Sequence, residues 1–165
     1  MKQLLFILAF ALTFVSCNRH SEHWNTLSNV ESYIVEHPGS ALIVLEQIDI
    51  SELSSIEERA KHALLLSMAL DKNYVDKTDF NVLQPAIDYY EDNGSATEKF
   101  QTYYLQGRIY QNQGNDTQAM IAYAQAKELL GVVCQLYSER NQCTCICDFD
   151  YISSVLFSWK SSAKR

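Results

Sequence analysis

FQTYYLQGRIYQNQGNDTQAMIAYAQAKELLGVV, residues 100–133, carries the clearest architectural pattern in the chain. It divides into two helical patterns, about Thr97–Asn112 and Asp116–Leu130, with the turn Gln113-Gly114-Asn115-Asp116 between them. Small residues stand at Gly107, Ala119 and Ala126, with aromatics beside them at Tyr103, Tyr110 and Tyr123. A glycine inside a helix costs about 0.5–1 kcal/mol against alanine, so Gly107 is expected where a second helix comes close. The tyrosine rings then fill the space on either side of that approach. Gly114 supplies a residue that can take a positive φ to end the first helix. Asp116 is the expected cap of the second.

Counted from Phe100, these 34 residues place an aromatic at Tyr103, glycine at Gly107, tyrosine at Tyr110, alanine at Ala119, an aromatic at Tyr123 and alanine at Ala126. In this the window resembles a tetratricopeptide repeat. Gln106 and Gly131 depart from the pattern, standing where leucine and proline are usual. The resemblance implies an all-α fold, a right-handed superhelix of stacked antiparallel helix pairs.

Two partial pairs precede the window. Trp24, Leu27, Val30 and Ile34 mark one face of a helix over Trp24–Glu36, which His37-Pro38-Gly39-Ser40 ends. Ser40 is the expected cap of a helix over Ala41–Ile48, where Ala41, Leu45 and Ile48 repeat the spacing of Ala119, Tyr123 and Ala126. Ser51–Ser54 reads as a turn. Ser54 or Ser55, with Glu57-Glu58 after it, opens a helix to about Lys72 with Ala63 in its small position. Asp71–Asp79 reads as a loop that lengthens this pair: Ala41 to Ala86 is 45 residues, against 33 from Ala86 to Ala119. The next helix covers about Phe80–Tyr90, either kinked at Pro85 or starting near Leu83 with Pro85 in its first turn. Residues 24–130 are thus about three hairpins, each needing its neighbour to cover an apolar face. The stretches Leu70–Asp79 and Tyr103–Tyr110 are also similar to the amino-terminal repeat region of longer Bacteroidetes lipoproteins.

Residues 1–16 read as a signal peptide. Lys2 precedes an apolar run, Leu4–Val15, too short for an ordinary transmembrane helix. Phe14-Val15-Ser16-Cys17 resembles a bacterial lipoprotein processing site. That resemblance implies cleavage before Cys17, lipid modification of that cysteine (palmitate among the acyl chains) and a lipidated tether over residues 17–23. Asn18, in place of aspartate, points to an outer-membrane location facing the periplasm. Residues 131–165 form a cysteine-rich tail, read as a seventh, capping helix begun by Gly131–Tyr137 or as a truncated end. Cys134, Cys143, Cys145 and Cys147 are candidates for disulfides, with three pairings open. Cys143, Cys145 and Cys147 are only one residue apart, too close for the usual zinc spacing, so no metal site is expected.

The net charge of −7 argues against a general nucleic-acid binder, which needs a basic surplus against phosphate. His20, His23, His37 and His62 have no ligand spacing, and His62 reads as a helix-surface residue. Glu57 and Glu58 diverge on a helix and read as solvated. No catalytic constellation, phosphate loop or cofactor motif is present. Function therefore falls to a surface. In tetratricopeptide arrays the first helix of each pair lines a concave groove, here Gln101, Tyr104, Arg108, Gln111 and Asn112. Arg108 can grip a carboxylate and Tyr104 offers rigid area. The matching set in the preceding pair, Glu57, Ala60, Leu64 and Ser67, is less polar and reads as packed. A protein or peptide partner is expected. A glycan-binding lipoprotein, using Trp24 or Trp159 as a platform, and a truncated piece of a longer signalling protein are the alternatives.

Overall fold

The computed structural model describes residues 22–139, and the regular secondary structure among them is entirely helical. Six α-helices run in order: α1 Glu22–Tyr33, α2 Pro38–Glu46, α3 Ile56–Lys72, α4 Gln84–Asn93, α5 Ala96–Asn112 and α6 Asp116–Glu139. A short 3-10 turn, Ile50–Glu52, precedes α3. Successive helices pair as α1–α2, α3–α4 and α5–α6. Each later pair is joined to the one before it through its first helix: α3 packs on both α1 and α2, and α5 packs on both α3 and α4. This is the stacked packing of a tetratricopeptide-like helical array.

The small-large pattern of the second helices explains the stacking. Ala41 and Leu45, Ala86 and Tyr90, and Ala119 and Tyr123 hold equivalent places, and all six are buried. Ala41 and Leu45 join Leu27 and Val30 of α1, Ile34 just after it, and Leu65 and Ala69 of α3 in one apolar cluster. Ala86 and Tyr90 join Ala60, Ala63 and Leu64 of α3 and Leu105 and Ile109 of α5 in a second. Burial drives the Tyr90 phenol well above its ordinary range and keeps it neutral. The third seam is the most extensive contact in the stack. A Cβ added at Gly107 would lie 2.8 Å from Cζ of Tyr123 and nearer still to two other ring carbons. The absent side chain is therefore what seats that ring.

Helix ends are set by local chemistry. Ser55 and Ser95 each open a helix with a reciprocal capping box, closed by Glu58 and Glu98 respectively. Glu58 is buried, not solvated as its sequence context implied. Its carboxylate accepts from the Ser54 N–H at 2.8 Å and the Ser54 hydroxyl at 2.7 Å, which satisfies the charge. Pro38 starts α2 in place of the expected Ser40 cap, because its missing N–H and fixed φ suit the first turn. Pro85 likewise sits in the first turn of α4, so it introduces no kink. Ser51–Ser54 is not a plain turn: Asp49 accepts from the Ser51 N–H at 2.8 Å and caps the 3-10 turn, a bond that lowers the Asp49 pKa. Asn115, not Asp116, caps α6, accepting from the Gln118 N–H at 3.3 Å.

Two further expectations are corrected. His62 is buried rather than on the surface, with Nε2 2.9 Å from the Leu45 carbonyl, tying α3 to the end of α2. Residues 131–139 do not begin a separate helix; α6 runs unbroken through Gly131 to Glu139. Where the repeat pattern has a proline to stop the chain, this sequence has a glycine, which weakens a helix without ending it. Residues 1–21 and 140–165 lie outside the described residues, and with them Cys17, the tether start and Cys143, Cys145 and Cys147. Cys134 falls on the backbone of α6. No described helix is long and apolar enough to cross a membrane.

Candidate functional site on the Arg108 face of α5

The α5 helix is fixed at its start by the Ser95 box and at its end by Gly114, whose φ of 73° lets the chain turn away. Helical spacing then sets Tyr104, Arg108 and Gln111 or Asn112 one above another. Arg108 is the centre of this face. Its Nε donates to Asp71 Oδ1 at 2.7 Å, and Asp71 lies in the last turn of α3. The two side chains are only 18% and 19% exposed, so this pair is shielded from water on both sides. Nη2 lies 3.8 Å from Asp76 Oδ1, and Nη1 donates to Gln111 Oε1 at 3.2 Å. The same Gln111 oxygen accepts from the Tyr123 hydroxyl at 3.0 Å. A polar chain thus runs from α3 across α5 to α6, anchored on the tyrosine that fills the Gly107 notch.

The connection between α3 and α4 lies over this face. Asn112 Nδ2 donates to the Lys77 carbonyl at 3.0 Å, and Gln113 Nε2 donates to the Thr78 carbonyl at 2.8 Å. Phe80 meets the Tyr110 ring edge-on, with centroids 4.9 Å apart. Beneath the connection is a cavity of about 20 Å³ bordered by Ser67, Leu70, Val75, Leu83, Leu105 and Arg108. The Ser67 hydroxyl is buried there without a hydrogen-bond partner among the described residues.

Of the other residues singled out, Gln101 and Tyr104 are half-buried on the first half of α5. The Tyr104 ring sits 6.1 Å from that of Tyr123. Tyr103 is half-buried and borders an open cleft of about 130 Å³ between α4, α5 and α6, with Tyr90, Lys99, Gln106 and Gln125. Tyr110 is half-buried, while Gly107, Ala119, Tyr123 and Ala126 are buried. In the preceding pair Ala60, Leu64 and Ser67 are buried and Glu57 is exposed. Trp24 does not offer a bare ring: Lys61 Nζ lies 4.8 Å from its centroid and also pairs with Glu31 at 2.6 Å. No group of three or more potential metal ligands occurs among the described residues.

Sequence reasoning missed Asp71, Asp76, Gln113 and the carbonyls of Lys77 and Thr78. The available signal was an arginine on the helix face and an acidic insert to balance it, but the path of that insert has no local code. Comparisons with protein-family models, curated proteins and solved structures return no match to this chain.

Proposed function

We propose that this protein is a membrane-anchored helical-repeat scaffold that holds a protein or peptide segment on the α5 face and catalyses no reaction. The observation that carries the reading is the convergence of Arg108, Gln111, Asn112 and Gln113 on one face, each already engaged in hydrogen bonding. The donors among them, on Arg108, Asn112 and Gln113, are already oriented and lose little freedom when a peptide supplies the acceptors. Attachment runs through the acylated Cys17, at the outer membrane facing the periplasm; several acyl chains on one residue make it lasting, at about 0.8 kcal/mol per buried methylene. Lys61 over the Trp24 ring argues against Trp24 as a glycan platform.

Cross-linked pull-down from membranes, comparing the wild type with Arg108→Ala, tests the face. The expected result is loss of at least one specific partner from the variant; equal recovery of every partner defeats the reading. Labelling with a fatty-acid analogue tests the anchor: the wild type takes the label and Cys17→Ser does not.

A further inference from the structure

We infer that residues 75–78 are an internal ligand of the α5 face, and that the external partner is an extended acidic segment that takes their place. The inference rests on the reading of α5 as the binding face. Residues 75–78 have no helix or turn of their own. They are held as a peptide ligand is held. Successive carbonyls, those of Lys77 and Thr78, accept from successive side chains, Asn112 and Gln113. The Asp76 carboxylate approaches Arg108 Nη2. Asp71 grips the same guanidinium through Nε from the α3 side, so it aims the other edge of the fork towards the segment.

The two ends of this strap are held by a backbone turn and by ring packing, and its middle by polar links alone. At the start, Tyr74 takes a φ of 60° and the Val75 N–H donates to the Leu70 carbonyl at 3.0 Å. At the far end Phe80 packs on Tyr110. Between them the links are polar, Asp76 and Thr78 are exposed, and the cavity with the unpartnered Ser67 hydroxyl lies below. No apolar side chain from residues 76–79 locks the middle down, because the sequence there is Asp-Lys-Thr-Asp. Two of the three contacts read backbone, so many sequences can replace the strap. The third selects a carboxylate ahead of the paired carbonyls. A tethered competitor of this kind lowers the apparent affinity of the face in proportion to how fully it is docked.

The test uses the full chain and a fluorescein-labelled probe, Tyr-Val-Asp-Gln-Thr-Asp, which copies residues 74–79 with glutamine for lysine so that trypsin leaves it intact. Fluorescence anisotropy compares the wild type with the triple variant Asp76→Gly, Lys77→Gly, Thr78→Gly. The expected result is about tenfold tighter probe binding by the variant, and weaker binding of a probe carrying asparagine for its first aspartate. Equal affinity for wild type and variant, or no binding to either, overturns the inference. A second measurement needs no variant: excess probe should speed tryptic cleavage of the wild type after Lys77, and an unchanged rate overturns the inference. In the membrane pull-down, partners lost with Arg108→Ala yet recovered equally by the wild type and the triple variant overturn the strap and leave the binding face standing. Partners lost with neither variant overturn the face itself.

Discussion

The ends of α3 and α5 are built alike and used differently. Both helices have 17 residues and both open with a serine–glutamate capping box. Both close with the same pair of backbone bonds. After α3, the Tyr74 N–H donates to the Asp71 carbonyl and the Val75 N–H to the Leu70 carbonyl; after α5, the Gly114 N–H donates to the Gln111 carbonyl and the Asn115 N–H to the Tyr110 carbonyl. The motif needs a left-handed residue, and the two sites fill it with Tyr74 at φ 60° and Gly114 at φ 73°. One residue after Gly114 the next helix is already capped. After Tyr74 the chain runs on to residue 83 before α4 begins. An identical stop signal therefore leaves the length and path of the next connection open. Glycine marks the connection that only turns. Tyrosine, 91% exposed and with no packing to repay the backbone conformation, marks the connection that crosses the α5 face.

Three sets of substitutions put this contrast between the two helix ends to the test. The largest effect falls on the seam that the short connection closes. Gly107→Val drives a branched side chain into the Tyr123 ring and should cost about 3 kcal/mol in urea unfolding. A loss under about 1 kcal/mol would mean that the ring moves aside freely and that close approach does not define the pair. Next comes the link between the two regions. Arg108→Ala leaves the Asp71 carboxylate shielded and unpaired and should cost about 2 kcal/mol. A double-mutant cycle with Asp71→Asn should recover a coupling of about 1 kcal/mol; strict additivity would show that the pair is ornamental. The smallest effects compare the two stops directly. Gly114→Ala should destabilise by about 1 kcal/mol, while Tyr74→Gly should stabilise by a few tenths, since relief of the left-handed strain exceeds the entropy glycine adds to the unfolded chain. Thermal unfolding of the two variants in parallel gives the signs, and equal signs would remove the contrast.

The helix pairs were legible because their signals are local and periodic. Ala41, Ala86 and Ala119 mark the second helices, and Ser55 with Glu58 marks the start of α3. The end of α6 was not legible at Gly131: the repeat pattern has a proline there, whereas glycine lets the helix continue to Glu139, and among the described residues a Cβ at that position would meet nothing within 4 Å beyond its own helix backbone. The burial of His62 escaped because its partner is a backbone carbonyl, which the sequence does not advertise. The site was half legible. Arg108, Gln111 and Asn112 share a face by helical arithmetic alone. Asp71 could not be assigned to Arg108, because the two sit on different helices whose docking no local signal specifies, and Asp76 could not, because it lies on a connection whose course is set by Tyr74, Phe80 and the backbone carbonyls it presents.

The helix α3 shows opposite sides to the two apolar clusters, Leu65 and Ala69 to one and Ala60, Ala63 and Leu64 to the other. It serves as a party wall between two rooms. Loosening of α1 and α2, the end nearest the amino terminus, removes neighbours from one side of that wall and leaves the other side furnished. The cluster that includes Leu105 and Ile109 of α5 thus keeps its own partners from α3 and α4 when the first pair loosens, with Met68 as the side chain that touches both clusters.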